Sequence, residues 1–463
     1  MEGLSEIPLP ALMAAGAFAV AMLIGLLSRL QWAYVIVGVM FFLASLGVAR
    51  KWWGGVQALW LYPAQSNRSA LYVTAGSLLI VSVIGHLHRM RFGSLPSQGF
   101  VLLVMALYAA LMRFVQESPA DGAASIAFTL CTILPLLLVV PALLAEWEDW
   151  TTLIRTLAIT NLGWVGAVAV QFAINPAQLT IDRSARFVGL TGNPQHAGVY
   201  LAVTATIALW LLLNDHKQRY RLLWMGLLGL NGILLAWTGS RTGMGMFVIG
   251  LTGVLYSRVG RSILYLPVVV FALAGAYQLM MALGVDLGLE RLASTQNTRS
   301  EAWSKLISNG LSSPLFGVGI SEAGDSENSY LYGFAAYGLG MVVLTGLLVA
   351  VSARVVWKLF WVRRYVEPYQ RALIDLIIAY IGMYFAGALF EGYIMARVAA
   401  NLVLFLVFSS MASRLLAQVQ EEQAWAAEQE WDEHAESAEW DADGEEAYEE
   451  DDDFGAYEPA AEY

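Results

Sequence analysis

The sequence is poor in charge. Only 14% of its 463 residues are Asp, Glu, Lys or Arg and 58% are hydrophobic, where an ordinary soluble domain carries roughly a quarter charged residues. That scarcity argues against a water-soluble fold. Basic residues are missing altogether after Arg414, whereas 19 of the 37 acidic residues lie within 415–463. The formal net charge of −11 therefore describes the tail, and the preceding chain holds 26 basic against 18 acidic residues, a net of +8. Cysteine is almost absent: Cys131 stands alone inside an apolar run, which excludes an intramolecular disulfide. No basic stretch precedes the first apolar segment and no small-residue cleavage site follows it, so that segment reads as a retained helix. The body of the chain has no DxD motif and the five His show no ligand spacing, so neither a metal nor another cofactor is expected, and no nucleic-acid partner.

What the chain does have is long apolar runs. A helix needs about 20 mostly apolar residues to cross roughly 30 Å of hydrocarbon, because an unsatisfied backbone is too costly in lipid. Thirteen segments approach that standard, centred on 9–27, 32–49, 70–86, 98–114, 123–145, 153–173, 197–213, 221–237, 242–257, 262–283, 331–352, 372–390 and 393–413. The predicted fold is all-α: a polytopic transmembrane bundle of about 12–14 helices in the lipid bilayer. It divides into N-terminal helices (1–173), a second transmembrane region (174–417) that includes a long loop at 284–330, and an acidic tail (418–463). Residues 52–64, rich in Trp and too short to span, read as an interfacial or re-entrant segment, with a distorted extra crossing as the alternative. No repeat of 20 to 50 residues and no inverted halves are visible. The tail has no apolar period that could build a core and is expected to be disordered from Gln418, with a helical start over 415–433 as the alternative.

Positive charge in short loops resists translocation and sets orientation. The stretches HLHRMR (86–91), KQRYR (217–221), RVGR (258–261) and 354–371 fall on one face under strict alternation, which makes that face cytoplasmic and puts the tail there. The opposite face receives the loop 174–196, the turn at 238–241, the loop 284–330 and the turn at Glu391–Gly392. Few charges remain on it. They include Arg183 and Arg186, Arg241, and then Arg299, Lys305, Glu322, Asp325 and Glu327. Guanidinium groups bind diphosphate oxygens bidentately and keep their charge, and a carboxylate beside them can serve as general base. Cations to stabilise a departing diphosphate and a base to take a hydroxyl proton are what glycosyl transfer from a lipid diphosphate requires.

Three stretches on this face resemble the superfamily of O-antigen ligases and Wzy-type polymerases. RFVGLTGNPQHAGV (186–199) is similar to its R-x-x-G-x-x-x-N-P-N-x-x-A pattern, and TGSRTG (238–243) to its SR-G turn. The third runs over 298–340, with TRSEAW, SPLFGVG and ENSYLYGFAAYGLG resembling R-x-x-x-W, P-L-x-G-x-G and HN-x-Y-L. The resemblance covers about 180–410 and departs where ligases carry His before Asn, since this chain has Glu327 before Asn328. It implies a glycosyltransferase bundle of the GT-C type in a bacterial inner membrane, acting at the periplasmic face on a polyprenyl-diphosphate-linked glycan. Glu327 and Arg241 are the expected catalytic residues. Arg186, Arg183, Arg299, Asn328, Tyr330 and His196 are the expected substrate-binding residues.

Competing readings are a salt bridge or headgroup contact for each Arg, an Arg299–Glu301 pair within the loop, a helix cap for Glu327, and interfacial solvation for Glu391. Asp375 has Arg371 four residues earlier as a local partner. Polymerisation of surface-polysaccharide repeat units is the leading function. Transfer of a finished glycan to a lipid or protein acceptor uses the same site, and an anion or lipid-glycan transporter is the alternative of another class. Other polysaccharide-assembly proteins could meet the acidic tail.

Overall fold

The computed structural model describes residues 31–47, 59–84, 95–144, 147–181, 186–265, 299–394 and 399–444. The segments predicted at 9–27 and, beyond Tyr265, at 262–283 lie outside the described residues, as does Arg183. Thirteen helices organise the rest: α1 Gln31–Ser45, α2 Arg68–Ile84, α3 Ser97–Gln116, α4 Pro119–Leu143, α5 Trp147–Ile174, α6 Pro194–Asn214, α7 Arg221–Thr238, α8 Arg241–Val259, α9 Ser300–Ser312, α10 Ser329–Tyr337, α11 Leu339–Val362, α12 Pro368–Ala388 and α13 Ala400–Gly444. Shorter helical turns include Leu59–Leu61, Tyr62–Ser66 and Ile320–Ala323. The sole pairing of strands among the described residues joins β1 Thr180–Ile181 to β2 Arg186–Phe187, antiparallel, with Thr180 opposite Phe187.

Nine of the described helices are long and apolar enough to cross a membrane, and the chain is a multi-pass membrane protein built as an all-α bundle. Helices α7 and α11 turn large apolar side chains outward, among them Ile233 at 67% and Val343 at 68% exposed. Such stripes suit hydrocarbon and not water. Helix α6 is the most enclosed span and packs against α5, α7, α8 and α12, while α2, α3 and α4 pack against one another through α4. Close approach of α6 and α8 depends on small residues: a side-chain carbon on Gly243 would lie 2.6 Å from the Gly198 backbone. Without a hydrophobic drive between helices in lipid, such packing is what associates them. Buried amides add to it, as where Asn161 on α5 donates to Asn231 on α7 at 3.2 Å.

The predicted spans match helices at nearly every described position, with one difference. The apolar run 331–352 is two helices, α10 and α11, separated at Gly338 with φ 73° and ψ −163°. Only glycine adopts that conformation readily, and Pro314 O accepts the following N–H of Leu339 at 2.8 Å. A second difference concerns the tail. The tail, which falls in a separate unit from Leu415, was expected to be disordered from Gln418 with a helical start over 415–433 as the alternative; the alternative holds and goes further, since helix α13 continues to Gly444. Its abundance of Ala, Glu and Gln, all good helix formers, is the physical reason.

At the bundle end that carries 215–221, 258 and 363 the cations are held structurally. Arg155 grips Asp215 with two bonds of 3.0 and 2.5 Å, and the Trp224 indole N–H donates to the same carboxylate at 2.9 Å. Burial works to raise the Asp215 pKa, but the bonds from Arg155, the Lys217 N–H and Trp224 outweigh it and hold the carboxyl below its usual range. Asp375 is gripped by Arg363 at 2.6 and 3.0 Å and not, as expected locally, by a hydrogen bond from Arg371. Arg371 donates to the carbonyls of Arg363 and Val366 instead.

Candidate functional site

The opposite end of the bundle gathers the residues singled out from sequence that the structure describes, Arg183 lying outside them, and local chemistry explains how. Phe187 is fully buried, stacked on Trp237 at 5.3 Å and edge-on to Trp164 at 6.3 Å. That anchor fixes β2, so the preceding residue, Arg186, donates from Nε to Thr238 O at 2.7 Å. Thr238 ends α7. Gly239, at φ 58°, reverses the chain, and Ser240 caps α8 by accepting from the Gly243 N–H at 3.1 Å. Arg241 is the first residue of α8 and exposed. Arg186 is thereby tied to the turn that presents Arg241.

Helix α6 begins at the same place. Asn193 caps it by accepting from the Gln195 N–H at 2.8 Å, with Pro194 pre-set in the first turn. His196 is exposed on that turn, and Gln195 points elsewhere, as described below. The capped starts of α6 and α8 touch: a side-chain carbon on Gly198 would meet Ser240 Cβ at 2.4 Å.

The third part is the loop between α9 and α10. Gly317, at φ 77°, lets SPLFGVG fold back on the end of α10, where the Val318 N–H donates to Ala335 O at 2.8 Å. Gln116 at the end of α3 donates to Phe316 O at 2.5 Å, which puts that helix end on this side too. The loop then delivers Glu327 and Asn328. Asn328, 5% exposed, caps α10 by accepting from the Tyr330 and Leu331 N–H groups at 2.9 and 3.0 Å. Its amide donates to Leu389 O at 2.9 Å. Ser329 Oγ donates to Glu391 O at 2.6 Å, and Tyr330 Oη to Phe385 O at 3.2 Å. Asn328 and Tyr330 thus spend these polar atoms holding α10 against the end of α12. The cap belongs to Asn328 and not to Glu327, whose Oε2 is buried without a hydrogen-bond partner among the described residues.

Glu391 is the centre of this face. It is 3% exposed on its side chain and pairs with Arg299 at 3.0 Å. Arg299 also donates to Phe390 O and lies over the Phe390 ring, so it reaches well beyond the neighbouring Glu301. With its amide nitrogen turned to the carboxylate, Gln195 donates to Glu391 Oε1 and Oε2 at 3.2 and 3.3 Å, and its oxygen accepts from Arg299 at 3.0 Å. Amide orientation is assigned from such networks. Burial pushes the Glu391 carboxyl up to about 7; Arg299 and Arg186 pull it down, and the negative charge of Glu327 pushes it further up. Arg186, Arg299 and Glu327 therefore share one electrostatic neighbourhood with Glu391. A carboxylate this poorly solvated, beside two arginines and a second acid, makes this face the candidate site.

Sequence reading weighed a function for Glu391 against interfacial solvation and left it out of the expected site, and it did not single out Gln195. The signal for Glu391 was its place, an acid in a short turn after an apolar span; the signal for Gln195 was its place in NPQ, where the resembled pattern carries a second Asn. Among the described residues, no three His, Cys, Asp or Glu side chains group as a metal site. The starts of α6, α8 and α10 all lie at this end, and helix starts favour anions. Guanidinium groups, helix starts and carboxylates together can bind a polyanion and hold a proton. No family model matches the chain and no curated protein is similar to it, so what the site does rests on its own chemistry.

Proposed function

We propose that the protein is a membrane glycosyltransferase that polymerises polyprenyl-diphosphate-linked oligosaccharide repeat units of a surface polysaccharide, at the periplasmic face of a bacterial inner membrane. The observation that carries this reading is the placement of Arg186, Arg299, Glu327 and buried Glu391 in one electrostatic neighbourhood, beside the turn that bears Arg241. Such a cluster at one end of a bundle of membrane-spanning helices suits a ligand that is lipid, diphosphate and sugar at once.

In this mechanism Arg186 and Arg241 hold the diphosphate of the donor, and Arg299 adds to them. Glu327, with one carboxylate oxygen lacking a hydrogen-bond partner among the described residues, takes the proton of the acceptor hydroxyl. The acceptor oxygen bonds to the anomeric carbon as the bond from that carbon to the diphosphate breaks, and the electron pair leaves with the diphosphate. Stabilising charge where it develops is commonly worth 10²–10³ in rate per donor removed, roughly 3–4 kcal/mol. Asn328 and Tyr330 keep Glu327 in register by fastening the start of α10.

Replacing Arg241 tests the assignment. In a strain lacking the native gene, Arg241→Ala is expected to abolish polymer while the protein accumulates in the membrane at the normal level. Polymer of normal length and amount would overturn the reading.

A further inference from the structure

The pairing of Arg299 with Glu391 poses a question for the site, because a guanidinium neutralised by a carboxylate is a poor ligand for a diphosphate. We propose that Glu391 gates Arg299: neutral Glu391 leaves the guanidinium charge to an incoming diphosphate, ionised Glu391 keeps it, and the site takes up a diphosphate and a proton together. This rests on the glycosyltransferase reading only for the identity of the natural diphosphate.

The geometry supports the exchange. Arg299 immediately precedes α9 and reaches the turn after α12, where its guanidinium lies between Phe390 O and the Glu391 carboxylate. Gln195 contacts both partners from the start of α6, so an amide able to donate and accept stays with Glu391 whichever way the arginine turns. The charged groups acting on Glu391 come from separate elements: Arg299 at α9, Glu327 ahead of α10, and Arg186 on β2. Tyr393 stands two residues along, and His196 lies on the same first turn as Gln195. The backbone beneath is closely packed and hydrogen-bonded. A side-chain carbon on Gly392 would lie 2.2 Å from Ser326 O, and the Ser329 hydroxyl is fixed between Glu391 O and the Ile394 N–H. Side chains can exchange partners here while the chain stays put. An anion on Arg299 removes the interaction that favours the ionised carboxylate, so Glu391 takes a proton from solvent; by linkage, protonating Glu391 first tightens the anion.

The test uses inorganic diphosphate and the full-length protein in detergent or nanodiscs. Calorimetry between pH 6 and 8 is compared for the native protein and Glu391→Gln, which mimics the neutral acid. The titration of diphosphate itself affects both proteins alike. Native affinity should weaken relative to the variant by up to about tenfold per pH unit above neutrality. Parallel pH dependences overturn the proposal. Infrared spectroscopy of the native protein gives a second measurement should the variant misfold: diphosphate added at pH 7.5 should increase the protonated-carboxyl C=O band, and no increase overturns the gate. Proton-linked binding by a protein that makes no polymer would sustain the gate and sink the glycosyltransferase. Polymerisation that needs Arg241, without proton-linked binding, would do the reverse.

Discussion

Two buried carboxylates at opposite ends of the bundle respond to pH in opposite senses. Glu391 has a folded-state pKa raised from 4.5 to about 7. Its contribution to stability is therefore fully present below 4.5 and is lost as pH rises through about 7. Asp215 has a lowered pKa, so its contribution is present above the ordinary carboxylate value and is lost as pH falls through the depressed one. Thermal unfolding in detergent should show the difference: between pH 5 and 8, Glu391→Gln loses less stability than the native protein. A larger loss in the variant would contradict the burial of a charge there. At pH 7, Asp215→Ala should cost about 1.5–3 kcal/mol, the usual range for hydrogen bonds to a charged group, since Arg155 and the Trp224 indole both lose their acceptor. A change in melting temperature too small to resolve would refute that pairing.

Helices were legible wherever apolarity ran unbroken. The predicted 98–114, 197–213 and 221–237 lie inside α3, α6 and α7 with only a few residues added at the ends. Hydropathy failed at 331–352 because it reads apolarity and not dihedral angle, and Gly338 is as compatible with an apolar run as any residue. The site was legible to the extent that chemistry stays on the sequence: Arg186, Arg241 and Arg299 stood out as cations on the face that a positive-inside bias depletes, and Glu327 as a carboxylate on the same face. Gln195, though it lies in the NPQ stretch, carries no charge to stand out, and its partner sits on a turn nearly two hundred residues away. The break itself can be tested. Gly338→Ala combines a conformation costing about 1–3 kcal/mol with a carbon 2.4 Å from Leu315 O, and should sharply lower the melting temperature or the yield. Gly346→Ala, within α11 and with nothing inside 4 Å, should be neutral or raise stability by up to about 1 kcal/mol. Equal effects at both positions would mean that α10 and α11 are one continuous helix.

Across the whole molecule the bundle sorts its charges to two ends, and the two ends use arginine differently. At one end Arg155 and Arg363 are locked on Asp215 and Asp375 and Arg258 donates to Leu213 O, which are the contacts of a structural face. At the other, Arg186 donates to the turn before α8, and the Arg299–Glu391 pair is shared with Gln195 and lies in the field of Arg186 and Glu327. The loops between α6 and α7 and after α11 belong to the first end and carry the dense basic runs that resist translocation. The proposed topology therefore puts the Glu391 face outside the cell membrane. Impermeant maleimide distinguishes the two ends once the lone native thiol is removed by Cys131→Ser. Ser321→Cys, exposed beside the Glu327 loop, should label in intact spheroplasts, whereas Lys217→Cys, exposed at the far end, should label only after permeabilisation. The reversed pattern would place the Arg186, Arg299 and Glu391 cluster on the cytoplasmic side, where a flipped lipid-linked donor would not reach it, and the polymerase proposal would fall with the topology.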